Sequence, residues 1–240
     1  MRNVAIVLAA GSGSRMNLNV KKQYMLLNDK PLLAYSMDVF EKSDIITDVI
    51  LVTSKEDIEY CRNEIVSAFG YSKVRAVIAG GKERYHSVMA GLDRIREDGD
   101  AEYVFIHDAA RPFVTEDMIK RLYEDVISTY ASVAAVKSKD TVKIANNADY
   151  VVSTPNRELT WIIQTPQTFR YSLALEAYDR LREEEDGLGC QGIKVTDDAM
   201  VVETWTDHKV RLIEGSYENI KVTTPEDIDI AEAIIKRRIN

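Results

Sequence analysis

Val4-Ala5-Ile6-Val7-Leu8-Ala9-Ala10-Gly11-Ser12-Gly13-Ser14-Arg15-Met16, followed shortly by Lys21-Lys22-Gln23, decides how this chain is read. Val4 to Leu8 is a continuous apolar run rich in β-branched residues, the pattern of a strand buried on both faces. Ala9 to Gly13 then carry no side chain larger than a hydroxyl. Such a loop lets backbone N–H groups approach a ligand, and anions are what they bind well. Arg15 and Lys22 add positive charge beside it. A small-residue loop with two cations, directly after a first strand, suits a polyphosphate. The other reading is an ordinary strand-to-helix turn with incidental basic residues. A P-loop is excluded, because Met16, Asn17 and Leu18 stand where Gly-Lys-Ser/Thr is required. A dinucleotide fingerprint is weak, because Met16 occupies the position of its third small residue.

Working outward, strand-like runs alternate with helix-period segments. Asp48–Thr53, Val74–Ala79, Tyr103–Ile106 and Ser132–Val136 read as strands. Between them, Pro31–Phe40, a segment capped by Ser54, a segment through Val88, Leu92 and Ile95, and one starting at Thr115 read as helices. The Thr115 helix has Glu116 and Asp117 in its first turn, and its apolar face is expected to be Ile119, Leu122, Val126 and Ile127. This alternation predicts βαβ units and an α/β fold with a mainly parallel sheet. Ligands of such sheets bind at the carboxyl ends of the strands. Three segments with little core character fall there: 11–22, Gly80–Ser87 and His107–Pro112.

The alternation breaks after Lys137. Thr141–Ala145 and Tyr150–Thr154 flank Asn146-Asn147-Ala148-Asp149 and predict an inserted β-hairpin. An isolated hairpin is marginal in water, so packing against another chain is expected. Trp161–Thr165 returns to the sheet. Leu173–Leu181 reads as a helix ending in a solvated acidic run, Glu183–Asp186. Thr196 is expected to begin another helix. Val210–Ile213 and Asn219–Val222 read as strands, and Thr224-Pro225 starts a final helix with proline at its first position.

Composition narrows the function. The 240 residues are 45% hydrophobic, enough for a real core, and the net charge of −8 argues against bulk nucleic-acid binding. No run of eighteen apolar residues suggests a membrane span. The first strand begins almost at the N-terminus, without a signal-peptide pattern, and Cys61 and Cys190 form neither a zinc set nor a disulfide framework. A cytoplasmic protein is expected. Asp108 at the end of a central strand could hold Mg²⁺ together with phosphate oxygens, and Arg111 could fork onto a phosphate. A buried Asp–Arg ion pair is the other reading of these two. His107 reads as a packing or hydrogen-bonding residue rather than a base. Gly80 and Gly81 allow close backbone approach, and Ser87 can hydrogen-bond a base or ribose. Lys221 alternates with apolar Ile220 and Val222, so it faces away from them.

The ordered series 9–16, Lys22-Gln23-Tyr24, 80–84, 107–112, Asp140-Thr141-Val142-Lys143, 164–169 and 219–223 resembles the 2-C-methyl-D-erythritol 4-phosphate cytidylyltransferases along nearly the whole chain. The closely related ribitol-5-phosphate cytidylyltransferases are the alternative, and Ala110 and Lys143 look more like the former. One departure is Lys21, where that family usually has proline. The resemblance implies a Rossmann-like nucleotidyltransferase fold: one domain over 1–240, with 138–163 as a β-arm for dimerisation. It implies transfer of cytidylyl from CTP to a sugar-alcohol phosphate with release of pyrophosphate, Mg²⁺ as cofactor and a homodimer as partner arrangement. Arg15, Lys22 and Lys221 would then be catalytic. Ala9, Ala10, Gly11, Gly13, Gly80, Gly81, Ser87 and Asp108 would hold the nucleotide, with Asp108 also the metal ligand. Asp108, Arg111, Thr141, Arg157 and Thr165 would hold the acceptor, Thr141 and Arg157 reaching the neighbouring subunit's site. A nucleotide-binding regulatory protein without turnover belongs to another class and would bind CTP without releasing pyrophosphate. A dinucleotide-dependent oxidoreductase is a more distant reading.

Overall fold

Alternate residues of the first strand, Asn3–Leu8 (β1), enter opposite layers of a computed structural model that describes residues 1–11 and 21–239. Val4 and Ile6 join one core and Ala5 and Val7 the other, as the period of two dictates for a strand covered on both sides. The short pair Leu26–Leu27 (β2) and Lys30–Pro31 (β3) leads into helix Leu32–Lys42 (α1), then strand Asp48–Thr53 (β4). Helix Ile58–Tyr60 (α2) runs on through a wider turn, Cys61–Ser67, to strand Val74–Ala79 (β5). Helix Arg84–Glu97 (α3), strand Tyr103–Asp108 (β6), helix Glu116–Thr129 (α4) and strand Ala131–Lys137 (β7) follow. The hairpin is Ile144–Ala145 (β8) with Val151–Ser153 (β9). Strand Trp161–Arg170 (β10), helices Tyr171–Glu184 (α5), Leu188–Gln191 (α6) and Asp198–Trp205 (α7), strand Arg211–Glu214 (β11) and helix Pro225–Ile239 (α8) complete the chain.

Seven strands form one sheet in the order β11-β7-β10-β6-β1-β4-β5. The pairs β1–β4, β1–β6, β4–β5 and β7–β11 are parallel, and only β10 runs against its two neighbours. On one face α3, α5 and α7 cover Val4, Ile6, Ile50 and Val52; on the other α1, α4 and the Cys61–Ile65 segment cover Ala5, Val7, Val49 and Leu51. A third cluster packs α8, through Ala231, Ile234 and Ile235, on Leu27, Leu32 and Phe113. Among the described residues no helix is long and apolar enough to cross a membrane.

Five local expectations need correction, the first being that Ser54 makes no side-chain cap bond to the segment after β4. Asn219–Val222 is not a strand. Its Asn219 carbonyl accepts from Arg111 and its Val222 amide donates to the Ala110 carbonyl, so it crosses the strand ends instead of extending an edge. Asp197, not Thr196, caps α7, its carboxylate accepting from the Met200 amide at 3.0 Å. Ile127 is 47% exposed, and Met118 completes the buried face of α4. The acidic end of α5 is not simply solvated, since Glu185 accepts from Tyr85 and meets His86 Nε2 at 2.5 Å, and Glu184 accepts from Trp205. Other expectations stand: Thr115 caps α4, Pro225 opens α8, and Cys61 is buried as a free thiol.

Candidate active site

The carboxyl ends of β1 and β6 and the start of α3 surround a cleft of about 340 Å³. Its lining includes Ala9, Ala10, Gly11, Lys22, Gly81, Ser87, Asp108 and Lys221. Backbone bonds carry the strand ends into this rim: Ala9 N–H to the Val52 carbonyl, Gly80 N–H to Thr53, and Ala109 N–H to Leu8. Gly11 and Lys22, the described ends of the first ligand-bearing segment, share one rim with Gly81–Ser87 and Asp108–Ala110. Gly13 and Arg15 lie outside the described residues.

Gly80 is glycine for want of room. A Cβ built there would stand 2.5 Å from Ser87 Oγ and 2.7 Å from Ala10 Cβ. At Gly81 it would stand 2.4 Å from His86 Cβ. Gly81 N–H donates to Ser87 Oγ at 3.3 Å, so the glycine pair and the serine form one closely fitted wall.

Asp108 is the electrostatic centre. Its Oδ1 accepts from Arg84 Nε at 3.0 Å and its Oδ2 faces Lys221 Nζ at 2.7 Å. Burial alone would raise this carboxyl, but Arg84, then Lys221, then Arg111 outweigh it and hold it far below the usual carboxylate range. The Asp108 amide donates to Thr165 Oγ1 at 3.1 Å. The Arg111 carbonyl can only accept, so His107 Nε2–H donates to it at 3.1 Å, and Nδ1 of the neutral ring accepts from the Thr165 hydroxyl at 3.0 Å. Burial, the dominant effect, pushes the His107 pKa down to about 4. His107 is structural, as its setting in the strand suggested.

Arg111 does not join the cleft lining. Its guanidinium donates to the carbonyls of Asn219, at 2.8 Å, and Ile163, at 3.3 Å, so it secures the segment that carries Lys221. Thr165 is not in the cleft lining either, its hydroxyl being taken by the Asp108 amide and His107 Nδ1. Thr141 and Arg157 are exposed on the arm, away from the cleft. The cleft's cationic lining side chains are Lys22, Lys82, Arg84 and Lys221, against Glu83 and Asp108. A chain of net charge −8 thus concentrates positive charge at one place.

The model of the IspD family, 2-C-methyl-D-erythritol 4-phosphate cytidylyltransferase, matches residues 3–237. The chain belongs to this family. A relative of that name from Lachnospira eligens is 49% identical over 98% of this chain and 99% of its own length. Another, from Lachnoclostridium phytofermentans, is 47% identical over 97% of this chain and 95% of its own. Among solved structures, a 4-diphosphocytidyl-2C-methyl-D-erythritol synthase from Anaerococcus prevotii superposes with a TM-score of 0.84 at 35% identity, covering 98% of this chain and 96% of that one. As a member of the methylerythritol phosphate cytidylyltransferase family, the chain is a nucleotidyltransferase enzyme, and the ribitol alternative is not favoured.

Sequence reasoning missed the network behind Asp108. Arg84 Nη1 and Nη2 clasp both oxygens of Asp198, at 2.7 and 2.8 Å, and Tyr178 OH donates to the same carboxylate at 2.5 Å. Asp198 is fully buried. One signal was available: Arg84 is the first residue of α3, where the helix dipole disfavours a cation. An arginine at that position calls for carboxylate partners.

Proposed function

We propose that this chain transfers the cytidylyl group of CTP to 2-C-methyl-D-erythritol 4-phosphate, releasing pyrophosphate, as a step of isoprenoid precursor synthesis. The observation that carries the reading is that Lys22 and Lys221, from opposite ends of the chain, line one cleft with the 9–11 loop and Asp108. The acceptor's phosphate oxygen is the nucleophile and is already ionised at neutral pH, so no general base is required. Its attack forms a P–O bond at the α-phosphorus as the bond to pyrophosphate breaks. Catalysis is then positioning and neutralisation of charge. Lys22 and Lys221 oppose the developing negative charge, a role the family resemblance also gives to Arg15. The main chain at Ala9, Ala10 and Gly11 cradles phosphate oxygens. Gly80, Gly81 and Ser87 receive cytosine in a wall too tight for a further methyl group.

Among the described residues no three carboxylate, histidine or cysteine side chains gather as a metal cage. Of the two carboxylates lining the cleft, Asp108 stands at the end of β6 beside the 9–11 loop, which fits an ion that takes most of its ligands from phosphate and water. Mg²⁺ would supply charge neutralisation across the triphosphate, with Asp108 as its protein ligand.

The arm supports a homodimer. Tyr150, Val152 and Leu159 are 74%, 66% and 77% exposed, an apolar group that a second subunit would cover. Thr141 and Arg157 on that arm would reach the acceptor phosphate in the partner's site. The composition and cysteine usage suit the cytoplasm.

The test is pyrophosphate release by purified protein with CTP, Mg²⁺ and either methylerythritol 4-phosphate or ribitol 5-phosphate. Turnover with the first and not the second is expected. Turnover only with ribitol 5-phosphate, or CTP binding without turnover on either, overturns the reading.

A further inference from the structure

Lys21 immediately precedes Lys22, yet its side chain leaves the cleft. Its Nζ donates to Ser54 Oγ at 2.8 Å and pairs with Asp57 Oδ2 at 2.6 Å. Ser54, expected to cap the following helix, makes no side-chain cap bond and receives this lysine instead. Lys22–Tyr24 is a single tight turn, closed by Tyr24 N–H on the Lys21 carbonyl at 2.9 Å. Three anchors hold it. Gln23 Nε2 donates to the Ala9 carbonyl at 2.6 Å, and Tyr24 OH meets Thr53 Oγ1 at 2.7 Å. The third is Lys21, the anchor adjacent to Lys22 on its N-terminal side.

We propose that Lys21 is a positioning residue: its ion pair with Asp57 fixes the backbone entering the turn and so aims Lys22 into the cleft. The reasoning is geometric. A lysine side chain is long, so a small rotation of the preceding backbone displaces its ammonium by an ångström or more. Misplacement on that scale costs a reaction governed by positioning far more than it costs binding. Lys21 has φ −61°, the value at which a proline ring would lock the chain. Proline at 21 can therefore replace an electrostatic restraint on the backbone with a covalent one, removing the charge.

The inference rests on Lys22 acting at the phosphates, and the experiment separates the two. Lys21→Met, Asp57→Asn, the double variant, Lys21→Pro and Lys22→Ala are assayed for kcat and for KM of CTP, with a melting temperature for each. Lys21→Met and Asp57→Asn are expected to lower kcat roughly tenfold with KM changed less than about twofold. The double variant should be no slower than either single one, and Lys21→Pro should recover kcat to within about twofold of the parent. Parental kcat in folded Lys21→Met, a double variant whose loss is the product of the two single losses, or Lys21→Pro as slow as Lys21→Met overturns the proposal. If Lys21→Met fails to fold, Asp57→Asn carries the test: a lowered kcat at unchanged KM supports the proposal, and parental kcat overturns it. Parental turnover in Lys22→Ala would instead remove the underlying role of Lys22. A slow Lys22→Ala beside a normal Lys21→Met would remove only the role of Lys21.

Discussion

Lys221 Nζ lies 2.7 Å from Asp108 Oδ2, joining the end of β6 to a segment that belongs to no strand or helix. Nothing in the local structure of either residue requires them to meet. Arg111 brings them together by clasping the Asn219 carbonyl, and Asn219 reinforces this by donating to the Thr165 carbonyl at 2.9 Å. Asp108 thus holds the lysine ammonium at the cleft wall.

Lys221→Ala should lower kcat by roughly 10²–10³, the scale for removing one group that meets developing charge. The melting temperature should change little, because Lys221 is 39% exposed and its ion pair is partly screened by water. Steady-state pyrophosphate release and a thermal scan check both halves. Full turnover would place Lys221 outside the chemistry.

Asp198→Ala should be strongly destabilising. It removes the two-pronged partner of Arg84 and the acceptor of Tyr178 while leaving the guanidinium beside Asp108 alone. Breaking a buried pair from one side costs about 3 kcal/mol or more. A urea titration reads this as a lower midpoint. Unchanged stability would mean the network is incidental.

Stability should fall as pH drops from about 6.5 towards 4. His107 is neutral in the folded state down to about 4, whereas an unfolded histidine takes its proton near 6.5. In that window the unfolded state binds more protons, so unfolding free energy rises with pH. The contribution is complete above 6.5 and is lost on acidification, by up to about 3 kcal/mol. Unfolding free energies of parent and His107→Gln at pH 7 and pH 4.5 check it. The variant should show a shallower decline, and equal slopes would refute the assignment.

Gly80→Ala should raise the KM for CTP about tenfold while the protein stays folded. The added methyl group would press on Ser87 Oγ and Ala10 Cβ, at a cost of about 1–3 kcal/mol. Equilibrium binding of CTP measures it directly. Unaltered affinity would show that the wall can yield.

The parallel sheet was legible because its signal is local. In β1, β4 and β6 the runs Val4–Leu8, Val49–Val52 and Tyr103–Ile106 are apolar, and a run covered on both faces has few alternatives to a central strand. The hairpin was legible for the same reason: Asn146 accepts from the amides of Ala148 and Tyr150 within its own turn. Asn219–Val222 misled because its alternating pattern matches a short strand. Whether such a segment pairs depends on an available edge, and here the Arg111 side chain and the Ala110 carbonyl engage its backbone instead.

Sequence alone determined the α/β architecture, the rim where the ligand-bearing loops meet, and the family. Each of these follows from periodicity or from short motifs whose residues act within a few positions of one another. Only tertiary structure decided which charges face each other. Arg84 on Asp198, Lys21 on Asp57 and Arg111 on the Asn219 carbonyl all join segments distant along the chain. A charged residue carries no record of its partner in its own neighbourhood. Its energy is set by distance and burial, and both exist only once the sheet has brought those segments together.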